Sequence, residues 1–543
     1  METQVLLDAR ALSQCRRRVH LDHDPSMRDV PLAPPDPAGE QRMADAAAHR
    51  SQIRQRLVDA VPGSWATVPR ELPAAERVAM TEQALAEGAT HIWGALLPAD
   101  RAGHRRGGAE LLIRTDGGYL PMLVVRHRIT DPGTGAVTTA PTDLDPAHAV
   151  VDETRKVRSQ PRDQLRLAHL RRMLQALGLA TARPLGAVLG LDADVVLWHD
   201  LEAPTWPGGR SALDEYDARL ADRVAVAQAA LAGGPALAEP SRVLECRTCP
   251  WWPTCESELN AIRDVSLVVR GEDAAELRRA GVSTVDKLAA LDPAEEPPIL
   301  MPSGLFTDAV ALARAWLADL TVVRKVPVVE VPRADVEVDV DMESFGESGA
   351  YLWGCLLSGA DVGFAPGYRS FVTWEPLPTV DEARSFATFW TWLMEVRSRA
   401  LAAGLTFRAY CYNAMAENRW LFGSAERFGG RPGIPAKRDI QSFVDSDEWV
   451  DLFRSVSDQF LCSRGKGLKV VAPVAGFAWR DPEAGGEASM RWYRDAVGMN
   501  GDAPAPEQRE RLLQYNEDDV RATKVLREWM SGPANEIPYM GDL

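Results

Sequence analysis

The sequence predicts a multidomain α/β protein, on three observations. The chain has 543 residues, more than one hydrophobic core ordinarily organises, so roughly two to four domains are expected. Short apolar runs alternate with amphipathic helical stretches along its length. Residues 336–344, Val-Glu-Val-Asp-Val-Asp-Met-Glu-Ser, alternate with the period of a strand. Val336, Val338, Val340 and Met342 then share one face, and Glu337, Asp339, Asp341 and Glu343 the other. Four carboxylates on one face repel each other. A divalent metal held through oxygen ligands would relieve that repulsion; a solvated edge strand, charged to block aggregation, is the alternative.

Apolar content of 46% and charged content of 25% are those of a soluble globular protein. No apolar run is long enough to span a bilayer, and the first residues lack a signal-peptide pattern. A cytoplasmic protein with no membrane partner is expected. The net charge of -16 argues against coating a polyanion but leaves room for local basic sites. Basic runs at Arg16–Arg18, His104–Arg106, Arg126–Arg128 and Arg171–Arg172 read as solvated surface. The seven cysteines do not suggest a disulfide framework. Cys355, Cys411 and Cys462 read as small buried hydrophobes.

In chain order, a helix carrying His49 is expected over residues 39–61. Strand-like runs follow at 91–97, 110–114 and 120–128, then a leucine-rich helix over 162–177. Residues 187–198 read as one further buried strand and 212–232 as another helix. Next comes Cys246-x2-Cys249-x5-Cys255, thiolates close enough to converge on one soft centre, with Cys15 able to supply a fourth ligand. Zinc competes with an iron–sulfur cluster; the shielding run Pro250-Trp251-Trp252-Pro253 suits the cluster.

An early cysteine and a terminal C-x2-C-x5-C around an α/β segment resemble the iron–sulfur RecB-type nucleases, among them AddB-like helicase subunits and certain CRISPR-adaptation exonucleases. The resemblance covers residues 1–260 and implies a PD-(D/E)xK restriction-endonuclease-like core stapled by a 4Fe–4S cluster on Cys15, Cys246, Cys249 and Cys255. His49 matches the family's helix histidine. Glu110 stands where the family has its first metal aspartate, and His127 where the D/E-x-K lysine is expected. Gln164 is present, but Ala168 replaces the tyrosine that follows it in the family. A shifted set from Asp152 or Glu153 with Lys156 is conceivable; a degenerate core kept for DNA contact or architecture is the simpler expectation.

Residues 261–325 change to short helices and resemble a helix-hairpin-helix, with Gly281 at a helix C-cap and Ser283 or Thr284 at the next N-cap. A bare helical linker is the alternative. Four prolines in 292–302 mark a further break.

From 326 to 543 the order is strand, strand, strand, helix, strand, helix, that of a ribonuclease H-like fold. Asp341-x-Glu343 on the first strand resembles the first motif of the DnaQ-type DEDD exonucleases. The second motif reads Asn413-Ala-Met-Ala-Glu417, glutamate replacing aspartate, with Asp451 on a later helix as the other possible third carboxylate. The third is Tyr515-x3-Asp519, one helix face, as in the tyrosine subclass. The resemblance implies two Mg²⁺ or Mn²⁺ ions held by Asp341, Glu343, Glu417 and Asp519, with Tyr515 orienting the attacking water. Lys466 and Lys469 are expected to hold a substrate backbone. Both halves in order resemble the bacterial RecB-like nuclease family that carries a YprB-type C-terminal half. That implies a 3′–5′ exonuclease on DNA, with a helicase or repair partner. A non-catalytic nucleic-acid-binding scaffold and an RNA-processing exonuclease are the alternatives.

Overall fold

The computed structural model describes residues 4–34, 37–295, 299, 301, 304–483, 485–501 and 503–543. It is a mixed α/β protein that divides into two compact units, Met1–Leu259 and Asn260–Leu543. The proline-rich break over 292–302 lies partly outside the described residues. Among the described residues no helix is long and apolar enough to cross a membrane.

The first unit is built on an eight-stranded sheet. Its strands are β1 (Trp65–Thr67), β2 (His91–Trp93), β3 (Leu111–Thr115), β4 (Gly118–Val124), β5 (Ala136–Thr139), β6 (Val150–Asp152), β7 (Leu185–Leu189) and β8 (Val196–Asp200). They lie in the order β1-β2-β3-β4-β7-β8-β5-β6. Helices α1 (Arg16–His23), α2 (Pro37–Ala60), α3 (Pro161–Ala176), α4 (Ala212–Leu231) and α5 (Trp252–Ala261) surround it. On α3, Leu165, Leu167, Leu170, Met173 and Leu174 are buried in the main core, as helical spacing requires. The stretch expected to be one strand at 187–198 is instead the antiparallel pair β7 and β8. Asp192 in the turn between them accepts from the backbone N–H groups of Ile129 and Thr130, which breaks the strand. Strand β4 stops at Val124, so His127 lies beyond it in a turn, and Glu110 immediately precedes β3.

The second unit begins with short helices α6 (Gly271–Arg279), α7 (Val285–Ala289) and α8 (Phe306–Leu317). Gly281 takes a left-handed φ of 88° just past α6, and Thr284 caps α7 by accepting from the Lys287 N–H. A five-stranded sheet follows. Its strands are β9 (Val336–Ser344), β10 (Ala350–Gly359), β11 (Gly367–Val372), β12 (Phe407–Cys411) and β13 (Trp449–Asp451), ordered β11-β10-β9-β12-β13. Neighbours β9, β10 and β11 pair antiparallel, while β12 and β13 join in parallel. Helices α9 (Glu382–Ala402), α10 (Met415–Phe428), α11 (Gly486–Val497) and α12 (Pro506–Met530) complete the unit. The apolar face of β9 is buried with Trp353 and Phe389, whose rings stack at 4.6 Å. The acidic strand is therefore the centre of its sheet and not a solvated edge: its other face is covered by α12.

Candidate active site

Strand β9 and helix α12 build the site between them. Tyr515, Asp519, Thr523 and Arg527 recur every four residues, so they form a line down one side of α12. That line lies against the acidic face of β9. At its upper end, one carboxylate oxygen each from Asp341, Glu343 and Asp519 lie within 4.8 Å of one another. Each acid is held by a neutral donor. Asn516 Nδ2 donates to Asp341 Oδ2 at 2.7 Å, and the Tyr368 hydroxyl donates to Asn516 Oδ1 at 2.7 Å. Gly354, opposite Asp341 on β10, makes room for this: a Cβ there would collide with the Asn516 amide. Ser489 Oγ donates to Glu343 Oε2 at 2.9 Å, and Trp479 Nε1 to Asp519 Oδ1 at 2.6 Å.

Glu417 sits in the first turn of α10, where the helix N-terminus favours an anion. It is 4% exposed, and its Oε2 is buried without a hydrogen-bond partner. It faces the same neighbourhood as Glu343 and Asp341 but lies outside the tight trio. Asp451 is not on a later helix. It ends β13 and caps the following helix, accepting from Phe453 N–H at 3.0 Å and from Asn413 N–H at 2.9 Å. The second bond holds the turn that launches α10, where Asn413 takes a φ of 71°. Lys469 extends its ammonium to the Tyr515 hydroxyl at 3.1 Å and 4.6 Å from the ring centre, so it belongs to this cluster. Lys466 donates to the Ser457 carbonyl at 3.4 Å.

Burial and mutual repulsion dominate the electrostatics. Burial pushes Asp341 well above the usual carboxylate range, and the charges of Asp519, Glu343 and Glu417 push it further. Glu343 rises to about 8, by burial first and then by Asp519. Glu417 also rises to about 8, mainly by burial. Asp519 is raised by burial against the pull of Lys469, Trp479 and Tyr515. The Tyr515 phenol is raised too, by burial and by Glu343, Asp519 and Asp341, so it stays protonated. One exposed ammonium faces this set. Without a cation these acids hold protons; ionised, they would carry more negative charge than the protein neutralises, the condition that oxygen-liganded divalent ions satisfy.

The lower end of the same strand is solved differently. Arg527, fully buried, donates to both carboxylate oxygens of Asp339 at 3.3 and 2.8 Å and also bonds Glu337. Arg333 donates to both Glu337 oxygens at 2.7 and 2.8 Å, and the Tyr410 hydroxyl adds a bond at 2.9 Å. Burial would raise Glu337, but Arg333 and Arg527 overcome it and hold the group at about 2. Arg527 went unread in the sequence, although it continues the spacing of Tyr515 and Asp519.

In the first unit the expected N-terminal site does not assemble as a metal centre. Glu110 is buried and accepts from Arg166 at 3.0 Å, with Arg70 at 3.5 Å. His127 Nε2 pairs with Asp163 at 2.8 Å. The His49 Nε2 is buried without a partner, and Gln164 Oε1 accepts from Thr205 at 3.5 Å. Among the described residues the carboxylate trio of the second unit is the set close enough to share an ion. Cys15, Cys246, Cys249 and Cys255 line one small cavity together with Trp251 and Trp252, and all four are free thiols. Burial raises the thiols of Cys246 and Cys249, and that of Cys255 to about 12.

A family model described as RNase_H superfamily matches residues 433–531, the stretch that carries Asp451, Lys469, Tyr515 and Asp519. No curated protein and no solved structure matches the chain. The C-terminal region of this mixed α/β protein is ribonuclease H-like.

Proposed function

We propose that the protein is a metal-dependent nuclease, a 3′–5′ exonuclease acting on DNA in repair or recombination, with catalysis in the second unit. The observation that carries this reading is the approach of Asp341, Glu343 and Asp519 within 4.8 Å, with Lys469 the nearby cation. The orphaned Oε2 of Glu417 fits the same need. Asp341, Glu343, Glu417 and Asp519 would hold two Mg²⁺ or Mn²⁺ ions. Bound there, such ions would stabilise the attacking and leaving oxygens of an in-line displacement at phosphorus. The chain's own contribution is to hold each acid in place. Asn516 fixes Asp341, Ser489 fixes Glu343 and Trp479 fixes Asp519. Tyr515, kept protonated and anchored by Lys469, orients the attacking water. The test is digestion of end-labelled DNA and matched RNA in Mn²⁺ by wild type and by Asp341→Ala. Degradation that survives Asp341→Ala would place hydrolysis elsewhere.

The four cysteines are read as ligands of a structural 4Fe–4S cluster in the first unit. The four thiols line one cavity with Trp251 and Trp252, which would shield such a centre from water. Aerobically purified protein should be brown and contain iron, with both lost in Cys249→Ser. Stoichiometric zinc in colourless protein would rule the cluster out. The surrounding PD-(D/E)xK-like core is read as degenerate, because arginines stand against Glu110.

A further inference from the structure

We infer that an arginine-lined cleft in the first unit holds a phosphodiester strand of nucleic acid without the help of a divalent metal. The cleft has a volume of about 980 Å³ and is lined by eight arginines against three carboxylates. The three carboxylates are already engaged. Glu110 binds Arg166 and Arg70, Asp163 binds His127, and Glu245 binds Arg18 at 3.4 Å and the Cys15 N–H at 2.7 Å. The guanidinium groups of Arg10, Arg50 and Arg162 make no hydrogen bond or ion pair among the described residues, yet all three line the cleft. Arg50 is half-buried, and its charge is disfavoured by burial and by neighbouring Arg70 and Arg166 against the pull of Glu110. Arginines thus outnumber carboxylates along the cleft, and Arg10, Arg50 and Arg162 have no anion bonded to them among the described residues.

Several features select an extended phosphate chain. Sites for small organic ligands are lined mostly by apolar side chains with few charges, whereas arginine is the commonest residue lining this one. The arginines come from the N-terminal segment, α2, the loop after β1, the turn after β4 and α3, so they face the cleft from several sides. Guanidinium forks match phosphate oxygens two at a time. No set of groups close enough to share a metal ion occurs in this cleft among the described residues. Choosing a phosphodiester over another polyanion rests on the hydrolytic reading of the second unit; the excess charge does not.

The test is binding of short labelled DNA and RNA strands by the full chain in EDTA, where hydrolysis cannot contribute. Arg10 and Arg162 are exposed, so Arg10→Gln/Arg162→Gln should fold normally. That variant should bind at least about tenfold more weakly, and its log K against log salt slope should fall by about 1.4, two contacts at about 0.7 each. Glu110→Gln should bind more tightly in EDTA, because it removes a carboxylate and frees Arg166 and Arg70; weaker binding would overturn the proposal. Unchanged affinity and salt slope in the double variant would overturn it, as would loss of wild-type binding in EDTA or equal competition by polyglutamate. Arginine-dependent binding of DNA, RNA or both upholds it and names the polymer. Loss of hydrolysis with binding intact would refute the second unit's reading alone.

Discussion

The two ends of strand β9 face the same helix with the same kind of side chain and reach opposite electrostatic states. Glu337 and Asp339 meet Arg527 and Arg333, so their charges are balanced inside the protein. Two residues further on, Asp341 and Glu343 meet Asp519, another acid, and only uncharged donors hold them. Repeating a carboxylate along one face therefore says little about function. What distinguishes the two ends is whether the helix opposite answers with a cation or with a further acid.

Each prediction tests that contrast. The largest effect is expected at the upper end, where Asp341→Asn keeps the shape but should cut Mn²⁺-dependent hydrolysis at least about 10³-fold; a residual rate near wild type would show that the trio is not the hydrolytic centre. At the lower end, Arg527→Met strands the buried Asp339 carboxylate, leaving Glu337 to Arg333, and should cost about 3–5 kcal/mol in urea unfolding, while Asp341→Asn in EDTA should be neutral or stabilising because it removes repulsion. If the two substitutions destabilise alike, the contrast is wrong. Saturating Mn²⁺, at about 100 times its dissociation constant, should then stabilise wild type by about 2.7 kcal/mol and leave Asp341→Asn unmoved in thermal melts.

The pH dependence has opposite signs at Glu337 and at the upper end, while Asp339, raised to about 6 by burial despite Arg527, follows the upper end. Glu343 and Glu417 bind their protons more tightly folded than unfolded, each at about 8 against an ordinary value of about 4.3. Their contribution is complete below about pH 4 and is lost as pH rises through about 8. Glu337, held at about 2, contributes stability that is present above about pH 4 and lost as pH falls toward 2. Metal-free protein should therefore lose stability from pH 5 to 8, and Mn²⁺ should flatten that slope. The smallest effect is that of Lys469→Met, expected to lower turnover about tenfold by loosening Tyr515, with bound Mn²⁺ unaffected.

Much of the second unit could be read from residue patterns. Period-2 alternation placed Asp341 and Glu343 on one face, and the i, i+4 spacing placed Tyr515 and Asp519 together. Arg527 was missed although it falls on the same helical line, because a lone arginine in a charged helix carries no signal until its partners are known. Asn516, Trp479 and Ser489 are single polar residues brought to the acids by tertiary packing. The hairpin at 187–198 was hidden because its turn lies between two fully apolar runs, which read as one. The arginine cleft was illegible for another reason: its members run from Arg10 to Arg166 in a chain of net charge -16, so no local run announces it.

The trio takes two acids from the first strand of the C-terminal sheet and one from helix α12, which lies 175 residues further on from Asp341 to Asn516. During synthesis, the ribosome must release that helix before the three groups can meet. If the trio is the hydrolytic centre, a nascent chain could not use it before α12 emerges, and a premature stop ahead of Tyr515 would yield a fragment without that centre.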